Sequence, residues 1–150
     1  VSRAVHAGSG EVLKLMGDAI LAVFPVHEAG GADEQRAARA CLEAARTARA
    51  ELEQARMTGA IASVRAGFGL TLGEVVYGNI GAPGRLDFTI IGEAVNLAAR
   101  LEERSKHVGE DVLLGPRIAS RAGALDRPLG PTRIRGFSDP VALYGLGEPR

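Results

Sequence analysis

Asn96 and Arg100 stand four residues apart in the run GEAVNLAAR, a spacing that places both side chains on one face of a helix. An amide beside a planar guanidinium suits a phosphate or another oxyanion better than it suits a core. The same pair also fits a capped surface helix with an ordinary ion pair. Asp18 follows Gly17 in a tight turn between two apolar runs. A carboxylate there either hydrogen-bonds its own backbone or, held rigidly at a strand end, offers oxygen to a hard cation such as magnesium. Lys14, four residues earlier, is either a solvent-facing strand residue or a donor to a nucleotide base or phosphate, with Leu13 and Leu15 expected on the opposite face.

Other polar and aromatic positions point less sharply to chemistry. Glu11 and Glu74 read as solvated strand-edge charges, with a helper role beside Asp18 as the alternative. Gly78, Gly81 and Gly84 either punctuate a loop or present backbone N–H groups to a phosphate, although neither a dinucleotide fingerprint nor a P-loop is present. Tyr77 and Phe88 read as packing residues, and an aromatic content of 4% argues against a stacking surface for single-stranded nucleic acid. His6, His27 and His107 lack a metal-ligand spacing, and no serine has the context of a nucleophile elbow.

The elements that must position these residues alternate irregularly. From Glu11, EVLKLMGDAILAVFP reads as a hairpin turning at Gly17 and Asp18, with Pro25 closing its second strand. A long alanine-rich helix runs from Asp33 to about Arg56, burying Ala38, Cys41, Leu42, Ala45 and Leu52 and exposing its Arg and Glu residues. Strands are expected over 62–70, 74–79 and 88–91, with a glycine-rich loop over 81–84. The helix with Asn96 and Arg100 is expected to reach about Ser105. A strand at 112–114, a short helix started by Pro116 and two strands around a Gly-Phe-Ser-Asp-Pro turn complete the chain. This order predicts an α+β fold with a mixed or antiparallel sheet covered by helices.

One domain is expected from 150 residues, of which 46% are hydrophobic and 24% charged. Eighteen basic residues balance eighteen acidic ones, so there is no bulk electrostatic case for nucleic acid or an anionic membrane. The single cysteine, Cys41, excludes cysteine-based metal sites and fits a reducing compartment as a buried thiol. With no membrane-length apolar stretch and no signal-peptide pattern, a cytoplasmic location is expected, with membrane attachment of the full-length protein through regions not present as the alternative. A start at Val1 without Met suggests an excised or processed fragment.

With these residues in view, the chain resembles the catalytic domain of the class III nucleotidyl cyclases, particularly bacterial adenylate cyclases. The resemblance runs in order through GEVLKLMGDAILAVFP, YGNIG, RLDFTIIGEAVNLAARLEE and IRGFSDPVALYGL. It implies a ferredoxin-like sheet with helices over it, head-to-tail pairing of two catalytic domains, and active sites at their interface. It implies conversion of ATP to cyclic AMP and pyrophosphate with two divalent ions, Mg2+ or Mn2+. Carried over by motif, Lys14 and Thr89 recognise adenine, Asn96 and Arg100 hold ribose and stabilise the reacting phosphate, and Arg135 falls near a basic phosphate-contacting position. Asp18 matches the second of two metal-binding aspartates and serves the partner's site. Glu93 stands where aspartate is common, a change expected to affect capping more than turnover. The family's first metal aspartate lies in a strand with no counterpart ahead of Val1, so an N-terminally incomplete domain is expected, with a regulatory or sensor domain elsewhere in the full-length protein. The alternative is a non-catalytic cyclase-like domain that binds nucleotide or dimerises to regulate an attached module.

Overall fold

A computed structural model describes residues 1–61 and 65–146. The most deeply buried strand explains the architecture. β6 (Val112–Leu114) is apolar at three successive positions, all fully buried. Alternation along a strand sends Val112 and Leu114 to one side and Leu113 to the other, so both faces of the sheet must be covered. On one side Val112, Leu114 and Leu70 meet Ala38, Leu42 and Ala45 of α2 (Ala32–Met57) and Ile118 and Ala119 of α4 (Pro116–Ala122). On the other, Leu113 meets Leu101 of α3 (Glu93–Val108), Ile134, and Leu143 of β8 (Val141–Gly145).

The four-stranded sheet has the order β3-β6-β8-β7, with β3 at Phe68–Leu70 and β7 at Pro128–Thr132. β3 pairs parallel to β6, whereas β6 with β8 and β7 with β8 are antiparallel. The α+β class and the mixed sheet therefore stand as expected. Two further hairpins, β1 (Glu11–Met16) with β2 (Ala19–Val23) and β4 (Val76–Ala82) with β5 (Arg85–Ile91), form their own two-stranded ladders. A short first helix, α1 (Ser2–Ala7), lays Ala4 against Ala44 and Ala48, a second apolar stripe of α2.

Several expected boundaries move. The strand expected over 62–70 is β3 alone among the described residues, and positions 62–64 lie outside them. The expected glycine-rich loop over 81–84 is a tight turn, because the ladder continues through Gly81↔Leu86 to Ala82↔Arg85. Proline then glycine with φ +86 at the two turn positions explains the closure. Gly78 and Gly81 consequently lie inside a strand rather than in a loop. α3 runs past Ser105 to Val108 and stops at Gly109, whose φ of +73 suits a helix C-terminus.

Glu34 is the clearest departure inside an element. Expected on the exposed face of α2, it is 0% exposed. Its carboxylate accepts from the Gly30 N–H (2.6 Å), from Arg117 Nε and Nη2 (3.2 and 3.0 Å) and from Arg121 Nε (2.8 Å). Those donors hold its pKa down to about 2, the Gly30 N–H contributing most. Asp33 accepts from the N–H groups of His27 (2.6 Å) and Glu28 (3.2 Å), folding the loop before α2 and lowering its own pKa. Cys41 is partly buried, and desolvation pushes its thiol up to about 12, which makes it inert as a nucleophile.

Candidate active site

The site is built on α3 and on the two hairpins. α3 lies unusually close to β3, and the sequence allows it through glycine. A Cβ at Gly69 would run into the Ala98 carbonyl oxygen and lie 2.7 Å from the Glu102 nitrogen; one at Gly67 would lie 2.9 Å from the Glu102 carbonyl oxygen. Thr71 Oγ1 donates to the Ala94 carbonyl at 2.8 Å, pinning the first turn. Near the other end Ser105 is buried toward Gly67, its hydroxyl satisfied within the helix by donating to the Glu102 carbonyl at 2.7 Å. These contacts fix the inner face of α3 and leave the opposite face free for Asn96, which is exposed, and Arg100, which is partly exposed.

Asn96 lies in the first turns of α3, where its backbone N–H donates to the Gly92 carbonyl at 3.2 Å. Arg100 Nη1 reaches Glu103 Oε2 at 3.2 Å, a pair open to solvent on both sides. Thr89 is half-buried on β5, three residues ahead of Gly92 at the start of α3, and faces Gly78 across the ladder. Because β5 runs directly into α3, Thr89, Asn96 and Arg100 are carried on one continuous strand-helix unit. Lys14 is half-buried on β1. The β1–β2 ladder shifts register between Val12 and Lys14, so strict alternation of Leu13, Lys14 and Leu15 does not hold; a bulge re-aims the side chains beside it.

Asp18 sits exposed at the β1–β2 turn after Gly17, whose φ is +64. Its charge acts on Lys106, in the last turns of α3, whose pKa is raised first by its hydrogen bond to Glu102 and then by the charges of Glu102, Asp18 and Glu103. Asn96 is near the other end of α3, about 15 Å away along the axis at 1.5 Å per residue. Thr89, Asn96 and Arg100 thus ride on one strand-helix unit, whereas Asp18 stands at the turn of a separate hairpin whose charge is felt at Lys106 in the last turns of α3. Arg135 is exposed in the connection between β7 and β8, beside the buried Ile134 and near Phe137, which packs on the α3 cluster. Among the described residues no group of three or more His, Cys, Asp or Glu converges to hold a metal. One carboxylate does not satisfy the six or more oxygen ligands of a hard cation. Asp18 fits as part of such a site and does not complete it.

No family model matches the chain. Adenylate cyclase 1 of Rhizobium meliloti is 31% identical over 145 residues, covering 95% of this chain and 22% of that protein. An uncharacterized protein of Mycobacterium tuberculosis is 38% identical over 143 residues, covering 93% of this chain and 24% of that protein. The adenylyl cyclase CyaB from P. aeruginosa has a crystal structure that aligns with a TM-score of 0.81 at 30% identity, covering 99% of this chain and 77% of that one. The chain belongs to the class III nucleotidyl cyclase family. As a cyclase-family domain it is similar also to the guanylyl cyclase Cya2, with a TM-score of 0.68 at 28% identity over 98% of this chain and 76% of that one. Both base preferences therefore occur on this cyclase fold, and the fold alone does not choose between them. The chain spans about a quarter of the length of these curated relatives.

The sequence reading missed two features of this cyclase domain. Gly67 and Gly69 bring α3 onto the sheet, and a Gly-X-Gly pattern leading into a strand was the available signal. The contact between Tyr77 and Glu11 had none, because 66 residues separate its partners.

Proposed function

We propose that this domain belongs to an adenylate cyclase that converts ATP to 3′,5′-cyclic AMP and pyrophosphate at the interface of a head-to-tail homodimer. The observation that supports the reading is that Thr89, Asn96 and Arg100 ride on one strand-helix unit while Asp18 stands at the turn of a separate hairpin. A site needing both sets of residues is more readily assembled from two copies than from one. The 3′ oxygen of the ribose attacks the α-phosphorus, the bond from that phosphorus to the bridging oxygen breaks, and pyrophosphate leaves while the 3′ proton passes to water. Asn96 orients the ribose, and Arg100 stabilises charge on the reacting phosphate with a preorganised guanidinium. Arg135 contributes a further positive charge toward the phosphates.

Lys14 offers donors only, and Thr89 a hydroxyl that donates or accepts; together they suit adenine's ring-nitrogen acceptor and exocyclic amino donor. Asp18 supplies one carboxylate ligand to the partner's site. When bound, two divalent ions, Mg2+ or Mn2+, lower the pKa of the attacking hydroxyl and neutralise the phosphates. ATP as substrate places the domain in the cytoplasm. The remainder of the full-length protein carries the regulatory or sensor function.

The test is an assay of the full-length protein with ATP and Mn2+ for cyclic AMP. Product is expected, and its absence under conditions where the protein dimerises overturns the enzymatic reading. A second reading, a non-catalytic nucleotide-binding or dimerisation domain that regulates an attached module, is favoured by one observation: Asp18 has no converging metal-ligand set among the described residues. ATP binding without turnover selects it.

A further inference from the structure

Lys14 and Thr89, proposed above to read the base, stand on different hairpins. β1 pairs with β2 and β4 with β5, and no ladder joins the two hairpins among the described residues. Two side chains that read one flat base must keep their separation within about 0.5 Å. Contacts between the hairpins must therefore set it.

One such contact is polar and specific. Tyr77 Oη, on β4, lies 3.4 Å from each carboxylate oxygen of Glu11, the first residue of β1. Glu11 precedes Lys14 by three residues and stands just ahead of the register shift between Val12 and Lys14. At its other end the Tyr77 ring meets Phe88 edge-on, with centroids 4.8 Å apart and planes at 83°. Phe88 is the neighbour of Thr89 on β5. A chain of contacts thus runs from the bulged strand of Lys14, through Glu11 and Tyr77, to the strand of Thr89. Partial desolvation, the Glu11 charge and the Glu11 hydrogen bond all raise the Tyr77 pKa, so the hydroxyl keeps its proton to donate at neutral pH.

Tyr77 is 48% exposed and Phe88 47%, so this arrangement adds little to the core. We propose that the Glu11–Tyr77 contact is a positioning clamp that sets the spacing of Lys14 and Thr89 and thereby tunes the preference for adenine over guanine nucleotides. The proposal rests on the adenylate cyclase reading. It places the effect on KM and on base choice, whereas Asn96 and Arg100, held separately by the packing of α3, govern kcat.

The experiment measures initial rates with ATP and with GTP for the full-length wild type, Tyr77→Phe, Glu11→Gln and the double variant, alongside melting curves. Loss of one long, solvent-open hydrogen bond predicts a rise in KM for ATP of about 3- to 10-fold for Tyr77→Phe. The ATP-to-GTP preference is expected to fall by a similar factor, with kcat within about twofold and the melting temperature almost unmoved. Glu11→Gln, which keeps an acceptor, should show a smaller shift in the same direction, and the double variant should be no worse than Tyr77→Phe because both changes break one contact. Unchanged KM and base preference in Tyr77→Phe, or additive losses in the double variant, overturn the clamp. Should the wild type turn over neither nucleotide, the adenylate cyclase reading falls instead. Equilibrium binding of ATP and GTP to the same four proteins then decides the clamp, a preserved affinity ratio overturning it and a reduced one supporting it.

Discussion

Among the described residues Arg100 pairs with Glu103 on its own helix in a solvent-open ion pair, so removing it costs the fold little. Arg100→Ala in the full-length protein is expected to lower turnover by about 100- to 1000-fold, with a melting temperature within about 2 °C of wild type; cyclic AMP assays and thermal denaturation check both halves. Glu34 behaves in the opposite way. Its folded pKa of about 2 lies below its ordinary value of 4.5, so the stability it contributes is present above pH 4.5 and disappears as pH falls toward 2. Glu34→Gln should therefore melt well below wild type at pH 7, by about 5–10 °C, and the gap should narrow steadily between pH 4.5 and 2. Melting curves across that range are the measurement; a gap independent of pH would remove the carboxylate from the explanation. The two residues also differ in how legible they were. The place of Arg100 follows from its four-residue spacing to Asn96, whereas the arginines that bury Glu34 are 83 and 87 residues away.

Elements were legible where a local pattern dominated. Gly17 and Asp18 turn the first hairpin, alternate apolar stripes define α2, and Pro116 starts α4 as its fixed φ allows. They were misread where pairing outweighed composition. Pro83 and Gly84 look like the middle of a loop, yet they only cap a ladder that runs unbroken from Val76↔Ile91 to Ala82↔Arg85. The approach of α3 to β3 is the element contact that sets where the helix bearing Asn96 and Arg100 lies. Gly69→Ala would force Ala98 and Glu102 outward, and overpacking of this kind costs about 1–3 kcal/mol. Because the displaced helix also carries Asn96 and Arg100, turnover of the folded fraction should drop as well. Urea denaturation and a cyclic AMP assay on the same preparation separate the two effects, and wild-type turnover in the folded fraction would show that α3 tolerates the displacement.

At the scale of the whole molecule the separation of Asp18 from Asn96 and Arg100 invites a complementation test. Asp18→Ala and Arg100→Ala homodimers should each be nearly inactive. Random mixing makes half of the dimers heterodimers with one intact composite site of two, so activity should recover to about a quarter of wild type. No recovery after verified subunit exchange would place both residues in one site on one chain. The sequence by itself determined the hairpin turn that presents Asp18, the helix face shared by Asn96 and Arg100, and the order of blocks that resembles a nucleotidyl cyclase, because turn chemistry and helical spacing act over a few neighbouring residues. Only the tertiary structure decided that Glu34 is buried between two arginines, that Gly67 and Gly69 admit α3 onto the sheet, and that Tyr77 reaches Glu11. Each of those depends on surfaces brought together across long stretches of chain, where burial and close approach are settled by packing and leave little trace in local sequence.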